Sequence, residues 1–259
     1  MKIIFFCATK FSEDILNDLL KKGFQISCIF TIPKNFNISY SKDKVKNFNF
    51  SDLRLLAKRR KIRSYEVNSI RGKRISDYYE VIKDIKPDVM IVAGWYYMIP
   101  KKIRALAKYG AWGMHASLLP KYAGGAPLVW AMINGEKKTG VSLFRLSDGI
   151  DDGDIIFQKA FPIKFEDTIK EVYARATMAA KEILVKALKN IKNLRFKPQD
   201  RSKLEIYPQR RPEDGEINLN QSFLEIYNFI RAQSFPYPGA FIKGKDGKKV
   251  IIDKVKVFK

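Results

Sequence analysis

The chain has 259 residues, 46% of them apolar, and carries 49 Lys and Arg against 27 Asp and Glu, a formal charge of +22. That length and apolar content are enough for a substantial core, which excludes a disordered chain. No apolar run approaches the roughly 18 residues of a membrane span, and the start, MKIIFFCATKFSEDIL, turns polar too soon for an export signal and lacks a small-residue cleavage site.

These features place the expected home of the chain in the cytoplasm. The lysines are spread along its whole length, which fits a diffuse basic surface, a nucleic-acid binder or an enzyme with a phosphorylated substrate. Cys7 and Cys28 lie inside apolar runs with no CxxC or Cys/His spacing, so they read as small buried thiols and no metal is expected.

In chain order, KIIFFCA is a strand, SEDILNDLLKKG a helix with Ser12 as cap and Gly23 as stop, and FQISCIF a second strand, a βαβ opening without the GxGxxG of dinucleotide sites. A polar, Asn- and Lys-rich segment follows from Pro33 to Phe50. SDLRLLAKRRK then has helical spacing, and residues 70–86 give a further helix ending at Lys86-Pro87. PDVMIVAGW is the strongest buried strand, so its tail GWYYMIP should lie at the carboxyl edge of a parallel sheet, where open α/β folds bind ligands. YGAWGMHA is another strand, LLPKYAGGAP an irregular turn, and Pro127 suits the first turn of the next helix.

TGVSLFRL and DIIFQKAFPI are strands flanking the acidic loop SDGIDDGD, and residues 167–192 form a long helix. After Pro198 the texture becomes a charged, proline-spaced linker, which sets a boundary near residue 200. The remainder predicts a helix (SFLEIYNFIRAQ), the turn-rich FPYPG and a hairpin of AFIKG with KVIIDKVKVF. Its exposed apolar strands could pair with a second copy of the chain.

His115 is the only histidine. A packed imidazole is one reading. The other comes from Asp151, at the end of the TGVSLFRL strand: if the two strands are parallel neighbours, imidazole and carboxylate share a rim, and such a pair transfers protons or steadies an oxyanion. Gly124 and Gly125 are ordinary turn residues, or they let backbone approach a ligand. The four acids of SDGIDDGD lack the alternating ligands and closing Glu of an EF-hand, and Ser117 beside His115 lacks the GxSxG elbow of a hydrolase.

The run H-x-S-L-L-P-K-Y-x-G-x-A-P from His115 to Pro127, then NGE, TGVSLF and I-D-x-G-D from Ile150 to Asp154, resembles the folate-dependent formyltransferases. RPEDGEI and IRAQSFPYPGAF resemble the segment that follows the core in the sugar and tRNA enzymes of that family. The resemblance implies an α/β fold: a Rossmann-like formyltransferase core with a central, mostly parallel sheet over residues 1–200, and a small C-terminal α+β appendage ending in a β-hairpin over 201–259. It implies an amine attacking the formyl carbon of N10-formyltetrahydrofolate through a tetrahedral oxyanion.

His115 matches the family histidine, with a role in oxyanion stabilisation and proton shuttling, and Asp151 matches the aspartate that orients and charge-supports it. The pterin is expected against Tyr97, Met98 and Ile99 and against Asp148, Gly149 and Ile150. Two positions depart from the family: Gly113 stands where it has asparagine, and losing one oxyanion donor costs about 3 kcal/mol; Ala123 stands where many relatives carry arginine.

The short C-terminal segment, set against the full barrel of a tRNA enzyme, implies a nucleotide-linked (dTDP or UDP) amino sugar as acceptor, in lipopolysaccharide O-antigen or related surface-polysaccharide assembly. Lys121 would meet the diphosphate. Tyr237 would stack on base or sugar, or else pack against the helix. A homodimer through the C-terminal hairpin is expected and a nucleic-acid partner is not. The alternatives are a methionyl-tRNA formyltransferase-like enzyme and a catalytically silent binding protein on the same fold.

Overall fold

The computed structural model describes residues 1–37, 44–68 and 72–255. Residues 38–43 of the Asn-rich segment, 70–71 of the helix expected over 70–86, and 256–258 of the last expected strand lie outside the described residues. Seven strands form one sheet: β1 (Ile3–Cys7), β2 (Ile26–Thr31), β3 (Arg63–Glu66), β4 (Val89–Ala93), β5 (Ala111–His115), β6 (Lys138–Arg145) and β7 (Ile155–Pro162). Their order across the sheet is β7-β6-β5-β4-β1-β2-β3. The five from β5 to β3 run parallel, while β6 pairs antiparallel with β5 and β7 antiparallel with β6.

This corrects the parallel pairing considered for the strands of His115 and TGVSLFRL. They are neighbours, but Trp112 faces Arg145 and His115 faces Ser142, so the end of β6 lies beside the start of β5. Asp151 therefore reaches His115 only because the loop after β6 folds back over the sheet. The short strand Arg63–Glu66 was not expected, because an edge strand with exposed Arg63 and Ser64 has little apolar signal to read.

β1 and β4, at the centre of the sheet, are apolar on every residue because both faces are covered. Ile3, Phe5 and Cys7 of β1 join a core with α1 (Lys10–Lys21) and α5 (Ile169–Lys189). Ile4 and Phe6 join a second core on the other face with α3 (Tyr79–Ile85). Cys7 and Cys28 are both buried, and burial pushes the Cys28 thiol up to about 12. The cap of α1 is Thr9, with Ser12 at the third helical position: the Ser12 Oγ accepts from the Thr9 N–H at 2.9 Å while Thr9 Oγ1 accepts from the Ser12 N–H at 3.3 Å. The expected cap therefore works from inside the helix, as the second member of a capping box.

Thr168 and Glu171 form the same device at the start of α5. Two helices complete the core layer, α2 (Leu53–Arg59) and α4 (Pro127–Ile133), the latter with Pro127 in its first turn as expected.

Beyond α5 the chain does not leave as a free linker. Lys197 exchanges backbone hydrogen bonds with Ile155 at 2.8 and 2.9 Å, and Ile206 and Tyr207 pair in parallel with Ala123 and Gly124. Residues 197–207 thus form a strap lying against β7 and the turn after His115. The chain then enters α6 (Phe223–Gln233), which is fastened to the main body by Arg231. Its guanidinium donates to the carbonyls of Lys164 at 2.9 Å and Asp167 at 3.0 Å. The hairpin follows as β8 (Ala240–Lys243) and β9 (Lys249–Ile252), paired antiparallel.

Candidate active site

His115 ends β5 on the face that also carries Gly113, because alternate residues of a strand point the same way. The residue is 8% exposed. Nε2 lies 2.7 Å from the carbonyl oxygen of Tyr122, and Nδ1 lies 3.3 Å from Asp151 Oδ2. A carbonyl only accepts, so the Nε2 hydrogen belongs to Tyr122, and the proton that His115 and Asp151 can exchange sits between Nδ1 and the carboxylate. Asp151 Oδ2 also accepts the Gly124 N–H at 2.8 Å.

The turn that supplies Tyr122 and Gly124 is held from below. Ser142 Oγ donates to Ser117 O at 2.7 Å and accepts the Leu119 N–H at 3.0 Å, and Gln158 Nε2 donates to Leu119 O at 2.8 Å. Tyr122 itself has φ +56°, its ring stacks on Tyr207 of the strap at 4.8 Å, and its hydroxyl donates to Glu136 at 3.0 Å. Burial, with Glu136 adding to it, holds that hydroxyl up at about 12, so it stays protonated near neutrality. Gly124 sits at φ +88°, and a β-carbon there would lie 2.5 Å from Tyr207 O. The close backbone approach read from this glycine is thus made by the chain's own strap.

At Gly113 a β-carbon would lie 2.6 Å from the ring of Phe144 and 2.8 Å from Leu146 Cδ2. Phe144 is the cross-strand partner of Gly113 and is 2% exposed. The space beside His115 where the family pattern puts an amide is therefore filled by an aromatic ring. Ala123 is completely buried and packs with Leu119, Phe144 and Ile155, so the position of the family arginine also faces apolar surroundings.

The other expected residues divide. Met98 is 60% and Ile150 47% exposed, large apolar side chains open to solvent on two loops. Those loops are tied together by Arg104, which donates to Leu146 O at 2.7 Å and pairs with Asp148. Gly149 is exposed beside them. Ile99, by contrast, is buried in the second core, and Tyr97 packs edge-on to Phe36 with its hydroxyl donating to Asn37 O at 3.1 Å. Lys121 is exposed at the tip of the turn, its carbonyl accepting from Ser117 Oγ at 2.6 Å.

Tyr237 lies against α5, its hydroxyl 2.7 Å from that of Tyr173. Burial and that neighbour keep it well above the usual phenol range, and its polar end is already used within the fold. Among the described residues no group of three or more His, Cys, Asp or Glu is placed to hold a metal, and no helix is long and apolar enough to cross a membrane.

The residue that sequence reasoning passed over is Gln199. Its amide Nε2 donates to Asp151 O at 2.8 Å and Gly153 O at 2.6 Å. It stands in the run KPQDRSK, whose composition reads only as linker. The single cue was the return of strand-like residues, LEIY, shortly after it.

The chain belongs to the formyl transferase family: residues 1–188 match the formyl transferase pattern and residues 210–259 the formyl transferase C-terminal domain. Over 251 residues it is 30% identical to a methionyl-tRNA formyltransferase of Thermodesulfovibrio yellowstonii, covering 96% of this chain and 79% of that protein. Among solved structures it is similar to a 4-N formyltransferase from Francisella tularensis, with a TM-score of 0.75, 17% identity and coverage of 100% and 98% of the two chains. It is also similar to WlaRD, a sugar 3N-formyl transferase solved in the presence of dTDP and 5-N-formyl-THF, with a TM-score of 0.65, 22% identity and coverage of 90% and 78%. At those identities the two structures establish the shared fold.

Proposed function

We propose that this formyltransferase moves a formyl group from N10-formyltetrahydrofolate to the amine of a nucleotide-linked (dTDP or UDP) amino sugar. The observation that carries formyl transfer is the His115–Asp151 pair on the face of β5. The acceptor is supported by the overlap with sugar N-formyltransferases along the whole chain.

The co-substrate supplies the one-carbon unit, and Met98 and Ile150, exposed on loops that Arg104 joins, offer apolar side chains to the faces of its ring. Asp151 orients His115 and holds charge beside it, so that a proton released by the attacking amine has an acceptor in the pair. Lys121, on the same turn as Tyr122, provides positive charge for the diphosphate. Because Phe144 fills the space beside Gly113, the chain stabilises developing negative charge without the family's amide. The rate is expected to be low for the family, since one such donor is worth about a hundredfold or more.

We further infer cytoplasmic work in surface-polysaccharide assembly and a homodimer through the C-terminal hairpin, on which Val250 is 65% and Ile251 54% exposed. A second reading, methionyl-tRNA as acceptor, is favoured by the 30% identity to the Thermodesulfovibrio yellowstonii enzyme and by the charge of +22.

Incubation with N10-formyltetrahydrofolate and a panel of dTDP- and UDP-linked amino sugars, beside charged initiator tRNA, separates the two by mass spectrometry of the product. A formylated sugar nucleotide is the expected result. Formylated methionyl-tRNA alone would reverse the assignment. Folate binding without any product would make the chain a silent member of its family.

A further inference from the structure

Asp151 is held in an unusual way. Its backbone is left-handed at φ +52° although it carries a side chain, a conformation that persists in a non-glycine residue only where surrounding contacts fix it. With that backbone the carboxylate meets His115 and the Gly124 N–H, while the carbonyl meets Gln199. Both carbonyls on which Gln199 Nε2 converges belong to the acidic loop, and Gln199 lies between the two stretches that match the family patterns.

We propose that Gln199 is a positioning residue for formyl transfer: it fixes the peptide of Asp151 so that the carboxylate stays on His115 Nδ1. The proposal rests on the formyl-transfer reading for its kinetic arm only. The strap does not depend on this side chain for its own course. Upstream it is anchored by Lys197 on Ile155, and downstream by the Ala123 N–H on Glu205 O at 3.0 Å and the Gly125 N–H on Tyr207 O at 2.8 Å. Removing the amide therefore frees the Asp151 peptide while leaving the strap in place. Arg201, which also reaches the loop, pairs with Asp152 at 3.2 Å and is 72% exposed, so its hold is weak and falls on the neighbouring residue.

Two variants test this. Gln199→Ala removes both hydrogen bonds. Gln199→Glu keeps the shape but aims a carboxylate at two carbonyl oxygens, an arrangement that becomes favourable only when the carboxyl carries a proton. Because His115 is the only histidine, the 15N resonance of its Nδ1 is a single unambiguous signal that reports whether this nitrogen shares a proton with the Asp151 carboxylate, and Asp151→Asn supplies the uncoupled reference.

Gln199→Ala is expected to move that signal to the position seen in Asp151→Asn and to lower kcat about tenfold to a hundredfold with KM unchanged, the effect of a small misplacement. Gln199→Glu is expected to resemble Gln199→Ala at neutral pH, with its kcat relative to the parent recovering as the pH is lowered. Circular dichroism should show the fold intact in all variants. A parental Nδ1 signal in Gln199→Ala overturns the proposal, as does a ratio of Gln199→Glu to parent that is flat with pH while the parent turns over. If the parent forms no product with any acceptor, the functional reading fails, and the imidazole signal alone still decides the role of Gln199.

Discussion

The sheet offers ligands two places, and the chain has closed one and armed the other. Between the carboxyl ends of β1 and β4 the strand order reverses, with β2 and β3 on one side and β5 on the other, the position where open α/β sheets commonly bind nucleotides. Here Asn47 is buried completely, its amide donating to Ala8 O at 2.9 Å and its Oδ1 accepting from the Tyr96 hydroxyl at 3.2 Å. The Lys10 N–H donates to Asn49 O at 2.7 Å, and the α1 terminus is satisfied by Thr9 and Ser12.

Over β5, by contrast, a loop of glycines and acids folds back on the sheet and brings Asp151 to His115. The first place is shut by a polar side chain whose hydrogen bonds are met inside the protein. The second is built from backbone held in uncommon conformations by a strap. The topology of the sheet alone does not locate a site; the loops that cap each strand end decide it.

The strongest test of this contrast is at the armed place: Asp151→Asn or His115→Ala should lower kcat about a hundredfold or more, the scale of general acid–base assistance, with the unfolding midpoint of Asp151→Asn near that of the parent and His115→Ala less stable by about 1–3 kcal/mol for the partners it leaves unpaired. A comparable loss from a change at the β1–β4 crevice would erase the distinction. Next in size is the exchange that restores the family asparagine. Gly113→Asn alone should lower stability by about 1–3 kcal/mol by overpacking against Phe144, Phe144→Ala alone by about 3–5 kcal/mol through the cavity it leaves, and the pair by less than the two together, because the amide then fills part of that cavity. Denaturant titration of the two single variants and the pair gives the coupling between the positions, and additive effects would show that the two side chains do not compete for one space.

The smallest functional effect is expected at the closed place. Asn47→Ala should cost about 1–3 kcal/mol of stability through its two lost hydrogen bonds and leave kcat unchanged. A change in KM for either substrate would show that the crevice takes part in binding.

How far the sequence foretold these features follows from the range of the interactions. The βαβ opening, PDVMIVAGW and the long helix were legible because burial on both faces, or on one helical stripe, writes itself into consecutive residues. The edge strand Arg63–Glu66 was not, because it is held by backbone pairing to β2 and asks little of its side chains. His115 and Asp151 were legible as residue types through the resemblance around them. The space beside Gly113 was not, since its occupant Phe144 stands across the β5–β6 pairing. Gln199 escaped because its contacts are to backbone, which any residue in the acidic loop would present.

By itself the amino-acid sequence determined the sheet-and-helix pattern, the family and the two ionisable groups of the candidate site, because each is encoded in local periodicity or in a contiguous motif. Only the tertiary structure decided that β6 turns back antiparallel, that the acidic loop returns over the face of β5, that an aromatic ring replaces an amide beside His115, and that the strap holds Asp151. Each of these is a meeting of segments far apart along the chain, and such contacts are fixed by packing and by the need to satisfy buried backbone polar groups, which no short stretch of residues specifies alone.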